Sequence, residues 1–151
     1  MDVRPLREGE GPQLRELRLR ALADAPGAFG RSFDEDAAHD DAWWAGLAAE
    51  GRVQVAEDGG RLVGMAGGRR CEDGSAELWG MWVEPADRGT GVAERLVEAV
   101  AAWARAQGAD RVELQVADPE GAAARLYRRL GFQDTGRRAD GGCKLRLARA
   151  L

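Results

Sequence analysis

The chain has 151 residues and a formal net charge of −4, which fits one domain with a sizeable core and argues against a nucleic-acid binder that relies on a broad basic surface. Its only two cysteines are Cys71 and Cys143, so a disulfide framework is excluded. The first residues lack the pattern of a signal peptide, and no run of about 18 apolar residues occurs, so we expect a cytoplasmic protein with no membrane partner.

Apolar periodicity and breaker residues divide the chain into predicted strands and helices. The predicted strands cover 3–6, 52–58, 61–70, 75–85, 111–116, 132–138 and 143–149. The predicted helices cover 11–25, 34–50, 91–107 and 119–130, and a breaker-rich loop covers 24–33. We expect a hairpin around Gly59 and Gly60, and a parallel pairing of the two strands that helix 91–107 connects. This order predicts a single α+β, or mixed α/β, domain over residues 1–151.

The strand predicted at 75–85 runs into the turn EPADRGTG, which opens the helix predicted at 91–107. The first turn of a helix leaves backbone N–H groups without helical partners at the positive end of the dipole, and such groups bind anions. Gly89 and Gly91 would let phosphate oxygens approach with no Cβ in the way, and Arg88 adds a positive charge. The turn is therefore typical of a phosphate- or pyrophosphate-binding site.

Two common phosphate motifs do not fit this turn. A GxxxxGK[ST] loop needs a lysine, and the only lysine of the chain lies near its C-terminus. A GxGxxG or GxGxxA fingerprint counted from Gly89 has Glu94 at its last position. The pattern that remains is R-x-x-G-x-A, formed by Arg88, Gly91 and Ala93, in which the small Ala93 lets the helix pack close to the strand.

Two segments resemble the core of the GNAT superfamily of acyl-CoA-dependent N-acyltransferases: MWVEPADRGTGVAERLV, and VELQVADPEGAAARLYRRLGF after a short spacer. The first matches the superfamily's [Q/R]-x-x-G-x-[G/A] loop, and the second matches its A-x-x-L-Y-x-x-x-G-F helix ending. The residues of that second match are Ala123, Leu126, Tyr127, Gly131 and Phe132. The resemblance implies the GNAT fold, with a central, mostly antiparallel sheet of about seven strands, a parallel pair at the cofactor cleft and about four flanking helices.

The resemblance also implies acetyl-CoA as co-substrate. Backbone amides of the loop would bind the pyrophosphate of coenzyme A, and the backbone of the preceding strand would bind its pantetheine arm. The cofactor-binding residues implied are Met81, Trp82, Val83, Arg88, Gly89, Thr90, Gly91, Val92, Ala93 and Tyr127. No metal is expected, since one histidine and two distant cysteines do not form a metal-binding pattern.

Acetyl transfer to an amine needs a base for the amine, a stabiliser for the oxyanion and an acid for the thiolate. By resemblance the general acid is Tyr127, the only tyrosine of the chain. Helical spacing places Tyr127 at the border of a buried stripe formed by Ala122, Ala123, Leu126 and Leu130, from which its hydroxyl would reach a cleft. The alternative is a core tyrosine with a satisfied hydroxyl, because some members of the superfamily lack an acid here.

Glu77 corresponds to the glutamate that acts as general base in some protein-lysine members of the superfamily. Strand alternation predicts that Glu77 shares one face with Trp79, Met81 and Val83, in surroundings that favour proton uptake. A solvent-facing carboxylate, Glu84 as the base, and a water chain without a dedicated base are the alternatives. By resemblance, the oxyanion is met by a backbone N–H of the same strand, from Met81 or Val83.

One position departs from the superfamily's pattern. Many members have an asparagine seven residues before the tyrosine, where it contacts the cofactor, and Glu120 occupies that place here. A carboxylate donates no hydrogen bond at neutral pH, so we assign no cofactor contact to this side chain.

The resemblance places the acceptor site at the N-terminal helices and the loop between them, residues 25–50. The candidate substrate-binding residues are Phe29, Phe33 and Trp43. The acids of this segment would attract a cationic amine, or else form a solvated face; they are Asp34, Glu35, Asp36, Asp40 and Asp41. One of the neighbouring Trp43 and Trp44 must point away from the core, which indicates a lid or an interface such as that of a homodimer.

These observations predict an N-acetyltransferase that transfers an acetyl group from acetyl-CoA to a primary amine of a small molecule by direct attack. A peptide or protein N-acetyltransferase is one alternative, and a non-catalytic acyl-CoA-binding regulatory domain is the other. An open groove would favour peptides, whereas a closed pocket lined by tryptophan would favour small amines.

Overall fold

Seven strands and five helices make up the part of the chain that the computed structural model describes, which is residues 1–26, 32–139 and 144–151. The strands are β1 (Asp2–Pro5), β2 (Val53–Asp58), β3 (Arg61–Arg70), β4 (Ser75–Val83), β5 (Arg111–Val116), β6 (Gln133–Ala139) and β7 (Lys144–Ala150). The helices are α1 (Gly11–Asp24), α2 (Phe33–Ala37), α3 (Asp41–Ala49), α4 (Val92–Ala106) and α5 (Ala122–Arg129). Cys143 and much of the loop predicted at 24–33 lie outside the described residues.

The strands form one mixed sheet in the order β1-β2-β3-β4-β5-β7-β6. The pairs β1–β2, β2–β3, β5–β7 and β6–β7 are antiparallel. β4 and β5 are parallel, with Ser75 opposite Arg111 and Glu77 opposite Glu113. α4 connects these two strands, as a parallel pair requires. The predicted fold class, a mostly antiparallel sheet with a parallel pair, is confirmed.

The chain packs as two compact units. Unit 1 comprises residues 1–67 and 80–100, and its buried apolar side chains come mainly from α1, α3, β2, β3 and the first part of α4. Each fully buried leucine or valine there stabilises the fold by about 1.5–3 kcal/mol. The largest fully buried apolar side chains of this unit are Trp44, Leu17, Leu22, Leu96, Val53, Val55, Val97 and Val100.

Unit 2 comprises residues 68–79 and 101–151. Along β5 and β7 every second side chain is apolar and buried, as strand alternation dictates. These residues are Val112, Leu114, Val116, Leu145 and Leu147. The side chains between them are polar, so this part of the sheet has one apolar face and one polar face.

The helix predicted at 34–50 is wrong, because the structure has two helices there. α2 ends at Ala37 and α3 begins at Asp41. The Asp40 carboxylate accepts a hydrogen bond from the Trp43 backbone N–H at 2.9 Å and so caps a new helix N-terminus. Ser32 and Glu35 form a capping box at the start of α2. The acids of this segment thus begin two helices rather than one.

α5 begins three residues later than predicted, at Ala122 rather than at 119. The Asp118 carboxylate accepts a hydrogen bond from the Glu120 backbone N–H at 3.0 Å, and the Asp118 carbonyl accepts one from the Gly121 N–H at 3.1 Å. These bonds fold residues 118–121 into a turn that precedes the helix.

Candidate functional site

The turn between β4 and α4 contains two glycines with left-handed backbone conformations, Gly89 at φ 78° and Gly91 at φ 85°. Residues with a Cβ rarely adopt this conformation. Among the described residues other than Gly89 and its two chain neighbours, no heavy atom lies within 4 Å of the position that a Cβ on Gly89 would take. The turn therefore presents bare backbone beside open space, as the sequence predicts for an anion site.

The N-terminus of α4 follows directly. The first helical hydrogen bond runs from the Arg95 N–H to the Gly91 carbonyl at 3.2 Å, so the N–H groups of residues 92–94 lie at the positive end of the helix dipole. The Thr90 hydroxyl donates to the Asp87 carbonyl at 2.6 Å and fixes the turn. The 3-10 helix Pro85–Asp87 leads into this turn.

Arg88 stabilises the turn through hydrogen bonds and also gives it a positive charge. Its Nε donates to the Val83 carbonyl at 2.9 Å, and its Nη2 donates to Asp24 Oδ2 at 2.8 Å. The indole Nε1 of Trp82 donates to the same Asp24 oxygen at 3.0 Å. The hydrogen bonds from Trp82 and Arg88 hold the pKa of Asp24 below its ordinary value. The end of α1 thus anchors both the end of β4 and the arginine of the turn.

The last residues of β4 are Met81, Trp82 and Val83. Trp82 and Val83 are both buried, and Met81 is half-buried. Strand alternation predicts that Val83 and Met81 share one face, which does not match this difference in burial. The physical reason is Gly80, whose φ of 66° interrupts the alternation of an extended strand.

A buried ion pair between Arg18 and Asp36 lies next to Gly80. Arg18 of α1 donates from Nε to Asp36 Oδ2 of α2 at 2.9 Å, and Asp36 is only 2% exposed. A Cβ on Gly80 would lie 3.0 Å from Arg18 Nη1. Asp36 is one of the acids predicted to attract an amine or face solvent, and its burial corrects that prediction. Nothing in a run of acids tells which one is buried.

The candidate acceptor-binding aromatics are only partly described. Phe29 lies outside the described residues, and Phe33 and Trp43 are 45% and 42% exposed. Trp44 is buried whereas Trp43 is exposed, which confirms that one of the two tryptophans points away from the core. The exposed Trp43 stacks on His39 with ring centroids 3.7 Å apart.

Tyr127 belongs to the buried face of α5. The described buried residues of this helix are Ala124 and Tyr127, whereas Ala122 and Ala123 are exposed, so the predicted stripe is wrong. Which residues of α5 are buried depends on where the helix begins and on what it packs against, and not on the spacing of its apolar residues alone. The Tyr127 ring packs edge-on against Phe132 at 5.7 Å between centroids. Burial raises the pKa of its hydroxyl well above the ordinary value, so the group stays protonated at neutral pH.

Glu77 lies in polar surroundings, which corrects the expectation that it faces Trp and Met side chains. Arg69 Nη2 donates to Glu77 Oε2 at 2.8 Å, and Gln115 Nε2 lies 3.5 Å from Oε1. These neighbours come from β3 and β5, on the polar face of the sheet in unit 2. Sequence alternation along β4 alone does not reveal them.

A cavity of about 550 Å³ lies on this polar face, and Glu77 is one of its lining residues. The other lining residues are Arg69, Arg70, Cys71, Glu72, Asp73, Ser75, Glu113, Arg137 and Arg146. Seven of the ten lining residues lie in 69–77, at the end of β3, the start of β4 and the turn between them, and the other three come from β5, β6 and β7. The cavity could not be predicted from the sequence, because the pairing of these strands brings the two groups together.

Neither a metal site nor a membrane span is found in residues 1–26, 32–139 and 144–151. Those residues contain no group of three or more His, Cys, Asp or Glu side chains suited to a metal ion. Their helices are too short or too polar to cross a bilayer.

The family model for the acetyltransferase (GNAT) family matches residues 14–132. The mouse (Mus musculus) protein named Probable N-acetyltransferase family 8 member 5 is 38% identical over 96 residues, which are 60% of this chain and 42% of that protein. Mycothiol acetyltransferase of Thermobispora bispora is 37% identical over 84 residues, 52% of this chain and 28% of that protein. The chain thus spans less than half the length of these relatives.

A solved structure has the same fold. The acetyltransferase yncA from Salmonella typhimurium, solved with its cofactor acetyl-CoA, superposes with a TM-score of 0.76. The match covers 100% of this chain and 94% of that one at 21% identity. At this identity the likeness concerns the fold alone.

Proposed function

The chain belongs to the acetyltransferase (GNAT) family, and from that premise we propose that it transfers an acetyl group from acetyl-CoA to the primary amine of a small molecule. The observation that carries the proposal is the turn at residues 88–93. It combines two left-handed glycines, open space and the start of α4.

The turn fits a pyrophosphate. Its bare glycine backbone admits phosphate oxygens, and the N–H groups of residues 92–94 lie at the positive end of the α4 dipole. Arg88 adds a guanidinium that is half exposed although it already pairs with Asp24. We assign the pyrophosphate of coenzyme A to Arg88, Gly89, Thr90, Gly91, Val92 and Ala93.

The end of β4 fits the pantetheine arm. Gly80 breaks the regular strand just before Met81, Trp82 and Val83, so the backbone there departs from a flat edge. The Val83 carbonyl already accepts from Arg88. We therefore assign the amide-to-amide contacts with pantetheine chiefly to the backbone of Met81 and Trp82, with Val83 next to the turn.

Two side chains are assigned to proton transfer. Acetyl-CoA supplies the activated carbonyl carbon, to which the amine nitrogen bonds as the carbon–sulfur bond breaks. Glu77 accepts the proton that the amine loses, directly or through water, and Tyr127 donates a proton to the leaving thiolate. A backbone N–H of Met81 or Val83 stabilises the charge that develops on the carbonyl oxygen. The Tyr127 hydroxyl holds its proton at neutral pH, as the acid role requires, and the pKa raised by burial makes it a weaker proton donor than an exposed tyrosine.

The proposal of a small acceptor rests on the volume of the cavity that Glu77 lines. Its walls are mainly charged side chains rather than tryptophans, and neither Phe33 nor Trp43 is among its lining residues. Its volume of about 550 Å³ is in the range of small-molecule sites. One relative bears the name mycothiol acetyltransferase, and this is consistent with a small acceptor.

The test is release of the coenzyme A thiol from acetyl-CoA with a panel of amines. The panel holds the twenty L-amino acids, simple alkyl amines and polyamines, each beside its N-acetylated form as control, and unstructured peptides with free N-termini and lysines. We expect turnover with at least one small amine and none with its acetylated form. Turnover with peptides alone would replace the small-molecule proposal by the peptide one. Failure of acetyl-CoA to bind would overturn it.

A further inference from the structure

The polar face of the sheet in unit 2 is built by alternation along two strands. On β5, the polar Arg111, Glu113 and Gln115 alternate with buried valine and leucine. On β7, Arg146 lies opposite Gln115 and between two buried leucines. Charged side chains therefore cover this face as part of the strand pattern.

Glu113 is the centre of the face and is only 2% exposed. Its Oε2 accepts from Arg111 Nε at 2.8 Å. Its Oε1 accepts from Arg137 Nη2 at 2.7 Å and lies 3.4 Å from Arg146 Nη1. Replacing a buried ion pair by apolar residues of the same volume is often neutral or stabilising, so this cluster is weak evidence for a purely stabilising role.

The charges of the cluster are unevenly distributed. Arg111 is balanced, because Asp73 and Asp110 each accept from it at 2.8 Å in addition to Glu113. Arg137 and Arg146 instead share a single oxygen of Glu113. One negative charge facing two guanidinium groups leaves a local surplus of positive charge on this wall of the cavity.

The cavity as a whole is neutral, with four arginines and four acids among its lining residues. Glu77 lies on the neighbouring strand, directly opposite Glu113 in the register of β4 and β5. Adjacent strands are about 4.8 Å apart. Arg146 and Arg137 belong to β7 and β6, two and three strands from Glu77, but both side chains reach Glu113 on the strand next to Glu77. A neutral cavity with separated charges suits a ligand that carries both an amine and an anion.

We infer that this cavity binds an acceptor with an anionic oxygen group, a carboxylate or a phosphate, a few atoms from its amine. Arg137 and Arg146 hold the anion, and the amine faces Glu77. The assignment of the amine rests on the proposed function, whereas that of the anion rests on the arginine pair. The acceptor class is thus an amino acid or a phosphorylated amine rather than a purely cationic polyamine.

Three matched ligands test this inference: β-alanine, O-phosphoethanolamine and ethanolamine. They share a two-carbon amine and end in a carboxylate, a phosphate and a neutral hydroxyl. Calorimetric titration into the protein saturated with coenzyme A, extended to the twenty L-amino acids and their amides, measures binding without turnover. We expect an anionic ligand to bind about 10- to 100-fold more tightly than its neutral counterpart, because each charge-assisted hydrogen bond contributes that much.

Arg137→Gln and Arg146→Gln should each remove most of that preference, and Arg105→Gln should leave it unchanged. Arg105 is an exposed residue in the last turn of α4 and serves as the matched control for charge and stability. Thermal unfolding of each variant shows that it is folded. A preference for β-alanine or amino acids identifies a carboxylate site, and a preference for O-phosphoethanolamine identifies a phosphate site.

Two results overturn the inference: equal binding of anionic and neutral ligands, and no binding by any ligand of the panel. The proposed function fails separately. Binding of an anionic ligand that Arg137→Gln abolishes, without any acetylation, would support the cavity site and contradict the acetyltransferase proposal. Equal acetylation of ethanolamine and β-alanine would support the acetyltransferase proposal and contradict the anion site in the cavity.

Discussion

The carboxylate of Asp24 accepts a hydrogen bond from the indole nitrogen of Trp82 at 3.0 Å. The same oxygen accepts from Arg88 at 2.8 Å. One acid at the end of α1 therefore holds the end of the strand and the arginine of the turn to which we assign coenzyme A. This relationship could not be predicted from the sequence, since the acid is more than fifty residues from both partners.

Asp24→Asn tests this anchor through the pH dependence of stability. The hydrogen bonds from Trp82 and Arg88 lower the pKa of Asp24 in the folded chain, so the unfolded chain binds more protons at acidic pH. The stabilisation is fully present above the ordinary value of 3.8 and is lost as the pH falls below it. We expect the difference in unfolding free energy between wild type and Asp24→Asn, measured by urea denaturation, to shrink between pH 6 and pH 3.

Asp34→Asn is the control for that experiment, because Asp34 is an exposed acid on α2. It should change stability little at any of these pH values. A difference for Asp24→Asn that stays constant with pH would show that the carboxylate charge does not hold the anchor.

Gly68→Ala should destabilise unit 2. A Cβ at this position would lie 2.5 Å from Cζ3 of Trp103, and the rigid indole cannot bend away as a flexible chain would. Overpacking of this kind costs about 1–3 kcal/mol. Chemical denaturation of wild type and variant measures the loss. In a Trp103→Leu background, which lacks the ring, Gly68→Ala should change the free energy of unfolding very little. An undiminished loss of unfolding free energy in that background would contradict the assigned contact.

The Tyr127 hydroxyl should resist ionisation in the folded chain. Its ordinary pKa is 10.0, and burial raises it well above that value. Because the folded chain then holds a proton that the unfolded chain releases, stability should fall as the pH rises above about 10. Tyr127 is the only tyrosine, so the ultraviolet absorbance of phenolate reports this group alone. Phenolate absorbance that rises near pH 10 while the chain stays folded would show that the hydroxyl is solvated.

Tyr127→Phe tests the acid role. We expect kcat with acetyl-CoA and a responsive amine to fall by about 100-fold or more, since general acids contribute on this order. The dissociation constant of acetyl-CoA should change little, because phenylalanine fills the same buried space. Unchanged turnover would remove Tyr127 from the mechanism and leave it as a core aromatic residue beside Phe132.

Local patterns predicted the helices and strands best where one face of an element packs on the core. β5 has the predicted bounds of 111–116, and four of the five apolar residues assigned to the face of α4 are buried. The exception is Trp103, which is half-buried near the end of the helix. The glycine turn was also predictable, because left-handed backbone beside a helix N-terminus requires glycine whatever the rest of the fold does.

Tertiary contacts decided what the sequence could not predict. The break between α2 and α3 depends on Asp40 turning its side chain to a backbone N–H, and Asp can equally well face solvent in a helix. The burial of Asp36 depends on Arg18 of another helix. The polar surroundings of Glu77 depend on residues from neighbouring strands. Each of these side chains was noticed in the sequence, but its partner was not.

The central claim is that residues 88–93 bind the pyrophosphate of coenzyme A. Calorimetric titration of the protein with coenzyme A and with pantetheine, which has the same arm but neither the pyrophosphate nor the 3′-phosphoadenosine, tests this claim most directly. Titration with 3′-dephospho-coenzyme A, which keeps the pyrophosphate, separates the two contributions. We predict saturable one-to-one binding of coenzyme A and binding of pantetheine that is at least about 100-fold weaker, since charge-assisted hydrogen bonds to the phosphates would be lost. Equal affinity for coenzyme A and pantetheine, or no binding of coenzyme A, would contradict the account.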